Sequence, residues 1–138
     1  MLQNDDLLSN MDLFYSKERL KTFKNWPFKK SAICSPIKMA EAGFYCYGDE
    51  NSARCYFCLK TLEGWEKNDD PMEEHRSHRP DCAFVILNKK EKDITVRDMI
   101  NLMEARFINI LILKHDEDMG EIDNIWKEFQ LAKFPEKK

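Results

Sequence analysis

The fold of this chain is decided by residues 55–82, which read CYFCLKTLEGWEKNDDPMEEHRSHRPDC. Four side chains in this stretch can bind a metal ion, namely Cys55, Cys58, His75 and Cys82. Two residues separate the first two cysteines, sixteen separate Cys58 from His75, and six separate His75 from Cys82. Structural zinc takes four sulfur and nitrogen ligands in a tetrahedron, and four protein ligands leave no position for a reactive water. The spacing predicts one structural Zn²⁺ ion.

A redox role is the alternative for the Cys55–Cys58 pair, with Cys82 as an ordinary core cysteine. Redox pairs with this spacing occur beside a βαβ pattern, which the sequence lacks. Cys34 and Cys46 are interpreted as small buried residues. A domain of about 75 residues has a thin core, so we expect it to unfold when zinc is removed.

Short helices and strands are predicted around the ligands. Ser35 and Pro36 form a helix start, and Gly43 suits the end of that helix. Residues 44–47 and 53–57 are aromatic and strand-like, and a third short strand is predicted at 60–63. A helix is also predicted at 13–24. Asp70 and Pro71 begin the helix that presents His75, and a further helix or turn follows from Cys82.

Beyond a charged linker at 88–93, apolar residues recur at helical spacing. Thr95 and Asp98 begin this helix, whose apolar face includes Val96, Ile100, Met103, Phe107, Ile110 and Leu111. The acidic run 116–118 and Gly120 interrupt the pattern, which Ile122, Ile125, Trp126 and Phe129 then resume. The pattern predicts one long helix or two helices with a break near Gly120. This tail either folds back on its own domain or binds partner helices, and its large apolar surface favours partners.

Length and charge exclude several classes of protein. The 138 residues carry a net charge of −3, which argues against binding DNA by bulk charge. The first six residues contain two acids and no Lys or Arg, so no secretory signal is expected. The most apolar stretch, 107–113, is far shorter than the roughly 20 residues of a membrane span. We expect a chain of the reducing cytosol or nucleus, with no catalytic residues and no enzyme activity.

Aromatic and acidic motifs surround the ligands. They are Arg19-x-x-x-Phe23-x-x-Trp26-Pro27, Met39-Ala40-x-Ala42-Gly43-Phe44-Tyr45, Leu62-x-x-Trp65, Asp69-Asp70-Pro71-x-x-Glu74-His75 and Cys82-x-Phe84. Together with the zinc-ligand spacing they resemble the baculovirus inhibitor-of-apoptosis repeat, or BIR domain. The resemblance implies an α+β fold, a zinc-stabilised BIR domain with a short three-stranded antiparallel sheet packed with several short helices, then a long C-terminal helix. The implied organisation is an N-terminal segment (1–14), the BIR zinc domain (15–88), and a linker with the helical tail (89–138).

Within this family the chain is similar to members with one BIR domain, a helical tail and no RING domain. The segments TFKNWPF (22–28) and LEGWE (62–66) carry this similarity. It implies a subunit of the chromosomal passenger complex that acts in mitosis and cell division. Such proteins bind the N-terminal tail of histone three phosphorylated on its third residue. Their tails bind borealin-like and inner centromere protein-like helices, which localise Aurora B kinase indirectly.

The same resemblance implies a location at the centromere in the nucleus, in the cytoplasm and at the spindle midzone. It also implies a homodimer when the protein is free, formed by the N-terminal segment and the linker. Candidate dimer residues are Leu7, Leu8, Val85 to Leu87 and Ile94. Neither sequence-specific DNA binding nor membrane binding is expected.

The resemblance also implies a peptide-binding groove. Glu63 and Asp69 can neutralise a peptide ammonium group, while Leu62 and Trp65 can form the pocket for its first side chain. Phosphate requires cationic donors, and the matching positions are Lys60 and His78. Asp49 and Glu50 can meet an Arg at the second peptide position. Taken alone, the acids at 63, 69 and 70 are more typical of a solvated turn with a helix cap, and Trp65 of a packing residue, but the family resemblance favours the groove.

A second function is a direct inhibitor of apoptosis that binds caspases or their antagonist peptides. Members of that kind often carry Trp three positions after the ligand histidine, where this chain has His78. His78, Lys60 and the apolar tail together favour the mitotic function. His115 lies outside these motifs and is interpreted as a helix-surface residue.

Overall fold

The computed structural model of the chain describes residues 10–133, with side chains through Glu128. Two 3₁₀ segments and five α-helices surround a three-stranded sheet. The 3₁₀ segments are η1 (Met11–Phe14) and η2 (Glu91–Asp93). The helices are α1 (Ser16–Lys21), α2 (Pro36–Glu41), α3 (Pro71–His78), α4 (Ala83–Leu87) and α5 (Val96–Lys133). The strands are β1 (Phe44–Cys46), β2 (Ser52–Cys55) and β3 (Thr61–Glu63).

The sheet is antiparallel with the order β1-β2-β3, so the predicted α+β fold is confirmed. Phe44 pairs with Cys55 at one end of the β1–β2 ladder, and Ser52 pairs with Glu63 in the β2–β3 ladder. Consequently β3 is an edge strand, and no strand of the described chain pairs with its outer edge.

Helix starts follow the predicted capping chemistry. The Ser35 side chain accepts a hydrogen bond from the backbone N–H of Lys38, and the Asp70 side chain accepts from the N–H groups of Met72 and Glu73. In both helices Pro occupies the first position, where no N–H is needed. These caps fix where α2 and α3 begin, and α3 carries His75.

The N-terminal helix predicted at 13–24 is two elements, because Tyr15 between them is extended. Buried Arg19 explains the break. Its guanidinium donates to the carbonyls of Leu13, Phe14 and Ala40, which requires η1 to fold back over α1. Burial lowers the pKa of Arg19 to about 10, and these carbonyls supply the hydrogen bonds that the buried cation needs.

Aromatic rings fill the core around the sheet. Trp65 contacts Phe44 and Trp26 with ring centroids 5.2 and 6.5 Å apart, and Phe57 stacks on Phe84 at 4.6 Å. These rings pack directly beside the four zinc-ligand residues, all of which are buried. The domain thus combines a small aromatic core with a potential metal centre.

The C-terminal helix α5 is continuous through Gly120, so the alternative of two helices is not observed. Its 38 residues span about 57 Å. The first turns pack on the zinc domain through Leu102, which is 1% exposed, and through Arg106 and Asn109, which donate to the carbonyls of Tyr56 and Phe57. No helix of the described residues is long and apolar enough to cross a membrane.

Most residues predicted to contact partner helices are exposed along α5, namely Ile100, Phe107, Leu111, Ile122, Ile125 and Trp126. The prediction is wrong for Ile110, which is buried against Leu59 of the same chain. Met103 is half-buried against the core. Both lie on the face that docks on the zinc domain, which the apolar pattern could not distinguish from the opposite face. The side chain of Phe129 lies outside the described residues.

Among the candidate dimer residues, Leu7 and Leu8 lie outside the described residues. The prediction is wrong for Val85, which belongs to the domain core. Ile86 is 68% exposed, and Leu87 and Ile94 are half-buried against the core. Ile86 is therefore the clearest exposed apolar residue of that set.

Candidate functional site

The four predicted zinc ligands come from four different places in the fold. Cys55 ends β2, Cys58 follows in a tight turn, His75 lies on α3, and Cys82 caps α4. Their ligand atoms all lie within 4.8 Å of one another. Residues up to 27 positions apart are thus brought to one point, as the spacing predicted.

The separations match the edges of a zinc tetrahedron. Zn–S bonds of about 2.3 Å and Zn–N bonds of about 2.0–2.1 Å give edges of roughly 3.8 Å between sulfurs and 3.6 Å between sulfur and nitrogen. The Sγ atoms of Cys55 and Cys82 are 4.0 Å apart, and Cys58 Sγ is 3.5 Å from His75 Nε2. The residues therefore fit one zinc ion with a complete set of protein ligands.

The turn between Cys55 and Cys58 is built to hold sulfur. The backbone N–H groups of Phe57 and Cys58 donate to Cys55 Sγ at 3.3 and 3.4 Å. Leu59 then adopts a left-handed conformation with φ of 65°, which redirects the chain into β3. Two amide dipoles aimed at one sulfur stabilise its thiolate form, which is the form that binds zinc.

His75 is oriented by a backbone carbonyl that the sequence reasoning missed. Its Nδ1 donates to the carbonyl of Ala42 at 2.8 Å, which leaves Nε2 facing Cys58. Metal-binding histidines usually have such a partner on the second ring nitrogen. The only feature of the sequence that pointed to this contact was Gly43. Its left-handed backbone, with φ of 97°, follows the end of α2 and leaves the Ala42 carbonyl free to accept from His75.

Protonation in the cluster is strongly perturbed. Burial raises the pKa of Cys55, whereas hydrogen bonds from Cys55 and Cys58 hold the pKa of Cys82 well below its usual range. Burial opposes charge on His75, but hydrogen bonds to Cys58 and Cys82 outweigh it and raise the pKa to about 9. Zinc binds thiolate sulfur and neutral imidazole, so these four residues release protons when they bind Zn²⁺.

Most of the residues predicted for peptide binding lie along β3 or close to its ends. Leu62 and Glu63 belong to β3, and Lys60 comes directly before it. Asp69 is half-buried, and its carboxylate accepts from the Glu66 N–H at 2.8 Å. One end of the strand is therefore acidic and the other begins with a cation.

Trp65 lies deeper than the prediction placed it. It is 4% exposed, and its indole N–H donates to the Leu62 carbonyl at 3.1 Å. It forms the floor below the end of β3 because Phe44 and Trp26 enclose the ring. Only the rim of the indole remains for a ligand.

The β1–β2 turn brings further acids to the same end of β3. Asn51 Nδ2 donates to the Trp65 carbonyl at 3.1 Å, and neighbouring Asp49 and Glu50 are exposed. The sequence reasoning missed Asn51, because a turn asparagine has many ordinary roles. Its hydrogen bond holds the acidic turn beside Trp65.

Lys60 directly precedes β3 at its opposite end, and the other predicted phosphate residue, His78, lies on α3. Lys60 is exposed two residues after Cys58, and His78 lies one helical turn after His75. His78 Nε2 is 3.6 Å from the Glu74 carboxylate. Because Cys58 and His75 share the metal cluster, the zinc centre fixes the backbone positions from which both side chains extend.

A separate cleft of about 990 Å³ lies elsewhere on the domain. Phe57 and Phe84 form part of its floor, and Lys30, Lys38 and Lys90 are at its rim. None of the residues predicted for peptide binding lines it. The predicted groove is thus the shallow β3 edge and not the large cleft.

Comparison with known proteins identifies relatives of this chain. The model of the BIR family, the inhibitor of apoptosis domain, matches residues 19–86. Baculoviral IAP repeat-containing protein 5 of Mus musculus is 42% identical over 121 residues, which cover 86% of this chain and 81% of that protein. Baculoviral IAP repeat-containing protein 5.2-A of Xenopus laevis is 46% identical over 93 residues, which cover 65% and 59%. The crystal structure of DIAP1 BIR1 bound to a Grim peptide is 32% identical, covers 53% of this chain and 72% of that one, and has a TM-score of 0.47.

Proposed function

The chain belongs to the BIR family, within which it is a survivin-like single-BIR protein, and from this we propose that it is a non-enzymatic mitotic adaptor. In this proposal β3 and its flanking residues bind the N-terminal tail of histone three phosphorylated on its third residue. The helix α5 binds borealin-like and inner centromere protein-like helices, and so localises Aurora B kinase at the centromere and later at the spindle midzone.

One observation carries the histone proposal, which is the charge order along an open strand edge. A peptide can add to the free edge of β3 as a fourth strand, using main-chain hydrogen bonds. An antiparallel peptide starts beside Glu63 and Asp69 and runs towards Lys60. Its ammonium then meets the acids, and its later residues meet the cation.

The spacing suits a phosphate on the third residue. Adjacent strand residues rise about 3.3 Å, so the first and third peptide residues are about 7 Å apart. Lys60 and Glu63 are three residues apart, or about 10 Å in extended backbone, so the long Lys60 side chain has to cover the remaining distance of about 3 Å to a phosphate on residue three. A phosphate on residue three would lie near Lys60 and His78, while the acidic turn at Asp49 and Glu50 could receive an Arg at residue two.

The charge of a phosphate group also supports Lys60 and His78 as its contacts. A phosphate carries about −1.5 to −2 charges near pH 7 and accepts several charge-assisted hydrogen bonds. Lys60 forms no ion pair within the described part of the chain, and so its ammonium is available. His78 faces Glu74, and a phosphate would compete with that carboxylate for the imidazole.

The test is a calorimetric titration of the zinc-loaded full chain with three peptides. They are an Ala-Arg-Thr-Lys tail phosphorylated on Thr, the same tail unmodified, and an Ala-Val-Pro-Ile peptide. We expect the phosphorylated tail to bind tightest, by roughly tenfold for a contact of about 1.5 kcal/mol. Lys60→Ala and His78→Ala should each remove much of the preference, while Lys114→Ala and His115→Ala on distal α5 should retain it.

Direct inhibition of apoptosis is the competing function, favoured by the family to which the domain belongs. A preference for the Ala-Val-Pro-Ile peptide without any effect of phosphate would reject the mitotic proposal and support that function. Equal, weak binding of all three peptides would reject β3 as a peptide site.

A further inference from the structure

The second half of α5 carries an exposed apolar stripe. Every described side chain from Lys114 to Glu128 is exposed. At 3.6 residues per turn, Leu111, Ile122 and Ile125 share one side of the helix, with Met119 and Trp126 beside them. Between 49% and 66% of each of these five side chains is accessible. This stripe lies opposite Leu102 and Arg106, which face the zinc domain.

A single carboxylate interrupts that stripe. Asp118 lies seven residues after Leu111 and four before Ile122, so helical geometry puts it in line with both. It is exposed and forms no ion pair within the described part of the chain. A second helix that covered the stripe would bury this carboxylate, because Leu111 lies two turns before it and Ile122 lies one turn after it on the same side. Lys114 and His115 are in the turn between Leu111 and Asp118.

Burial of Asp118 determines which helices can bind. A buried carboxylate is strongly unfavourable unless a cation pairs with it. A second copy of the same helix in parallel register would bring two Asp118 side chains together. Residues 115–128 also carry six acids and one lysine, so two copies would repel along their length.

We propose that the stripe binds a basic amphipathic helix of a different protein, which places a Lys or Arg opposite Asp118. This inference rests on the proposed role of α5 as a partner-binding helix, and it names the charge of the partner and the residue that selects it. Ile122 and Ile125 supply apolar contact, and Asp118 rejects both self-association through α5 and helices that are apolar or acidic at that position.

Self-association of the full chain tests the first half of the proposal. Asp118→Leu and Asp116→Leu each remove one acid and add the same side chain to the same exposed helix, but only position 118 lies on the stripe. By sedimentation equilibrium of the zinc-loaded proteins, we expect Asp118→Leu to strengthen self-association at least tenfold over the natural chain. Asp116→Leu should leave it unchanged. Equal behaviour of the two variants would overturn the proposal.

Partner charge is tested with two synthetic 28-residue amphipathic helices. They share a Leu and Ile stripe and a Gln surface, and they differ only in a central stripe residue, Lys or Glu. On the natural chain we expect the Lys peptide to bind at least tenfold tighter at 150 mM salt. Asp116→Leu should keep this preference and Asp118→Leu should abolish it.

The remaining outcomes separate this inference from the proposed function. If both peptides bind the natural chain equally, Asp118 does not select the partner, although α5 still binds helices. If neither peptide binds, both this inference and the proposed helix-binding role of α5 are rejected. The histone-tail titration involves none of these residues, so its result stands independently.

Discussion

At the scale of single residues, Gly43 links chain direction to the metal centre. Its φ of 97° lies in the left-handed region, and its carbonyl accepts from the Tyr56 N–H at 2.9 Å. The preceding carbonyl, of Ala42, holds the His75 ring. A Cβ at position 43 would lie 3.1 Å from a ring carbon of Phe84. The backbone conformation at Gly43 therefore directs the chain into β1, bonds the cysteine turn through Tyr56 and positions the carbonyl that holds His75.

We expect Gly43→Ala to lower the free energy of unfolding of the zinc-loaded chain by about 1–3 kcal/mol. The left-handed conformation costs an L-residue about 1–2 kcal/mol, and crowding against Phe84 adds to this. Gly120→Ala is the matched control, because Gly120 is helical and a Cβ there meets open space. It should stabilise α5 by roughly 0.5–1 kcal/mol. Urea denaturation measures both, and an unchanged midpoint for Gly43→Ala would contradict the strain argument.

The cysteines also separate into ligands and packing residues. We expect Cys58→Ala to abolish stoichiometric zinc and unfold the domain, because structural zinc contributes about 10–16 kcal/mol and domains are stable by only about 5–15. Cys46→Ala should keep one zinc per chain, since Cys46 is half-buried and outside the cluster. Metal analysis with far-ultraviolet circular dichroism measures both. Full zinc content in Cys58→Ala would show that the site does not need this ligand.

At the scale of elements, capping groups determine where a helix starts. The start of α5 illustrates this with a reciprocal pair. Thr95 Oγ1 accepts from the Asp98 N–H at 3.1 Å, and the Asp98 carboxylate accepts from the Thr95 N–H at 3.1 Å. Lys89 from the linker donates to the same carboxylate at 2.7 Å. The linker is thereby attached to the helix that it precedes.

These contacts predict that the stability of the folded chain depends on pH. The Lys89 ammonium, followed by the Thr95 N–H, holds the pKa of Asp98 below its ordinary value. A lowered carboxyl pKa means that the folded state binds the proton less readily than the unfolded state. The stabilisation is therefore complete above about pH 4 and is lost as the pH falls through the folded pKa.

Lys89→Met should raise the pKa of Asp98 towards its ordinary value, whereas Lys90→Met should not, because only Lys89 contacts the carboxylate. Carboxyl chemical shifts followed by nuclear magnetic resonance during an acid titration measure the change. The same pKa in both variants would mean that the Lys89 contact is not maintained in solution.

At the scale of the whole molecule, the helical tail is part of the zinc domain at one end and independent of it at the other. Leu102 belongs to the same core as the zinc cysteines, and the Arg106 guanidinium lies 3.7 Å from the centre of the Tyr56 ring. Beyond residue 113 the described side chains are exposed. A domain boundary at residue 88 thus divides the core, because the first turns of α5 complete it.

Two leucine substitutions test this division. We expect Leu102→Ala to lower the free energy of unfolding by about 2–5 kcal/mol, as for other fully buried leucines. Leu111→Ala, at a half-exposed position on the same helix, should change it by less than about 0.5 kcal/mol. Denaturation followed by tryptophan fluorescence measures both. Similar small effects would show that α5 docks only loosely.

Much of the fold and the metal site could be predicted from sequence because residue types and their spacing carry the relevant signals. Cysteine and histidine spacing identified all four ligands, and Ser35, Pro36, Asp70 and Pro71 identified two helix starts. Aromatic, strand-like composition predicted three strands, and the helical period predicted a tail of one long helix or two. The helix starts depend on backbone geometry within a few residues, and the metal site depends on the residue types and their spacing from 55 to 82.

Only the tertiary structure decided which apolar residues face inward. Ile110 and Leu111 are equally apolar neighbours, yet Ile110 is buried against Leu59 and Leu111 is half exposed. Likewise nothing local distinguishes Arg19 from a surface arginine, although its guanidinium is buried among backbone carbonyls. Sequence by itself determined the zinc ligands and the helical period. Burial depends on which surfaces meet across long chain separations, so packing alone settled the orientation of α5 and the depth of Trp65.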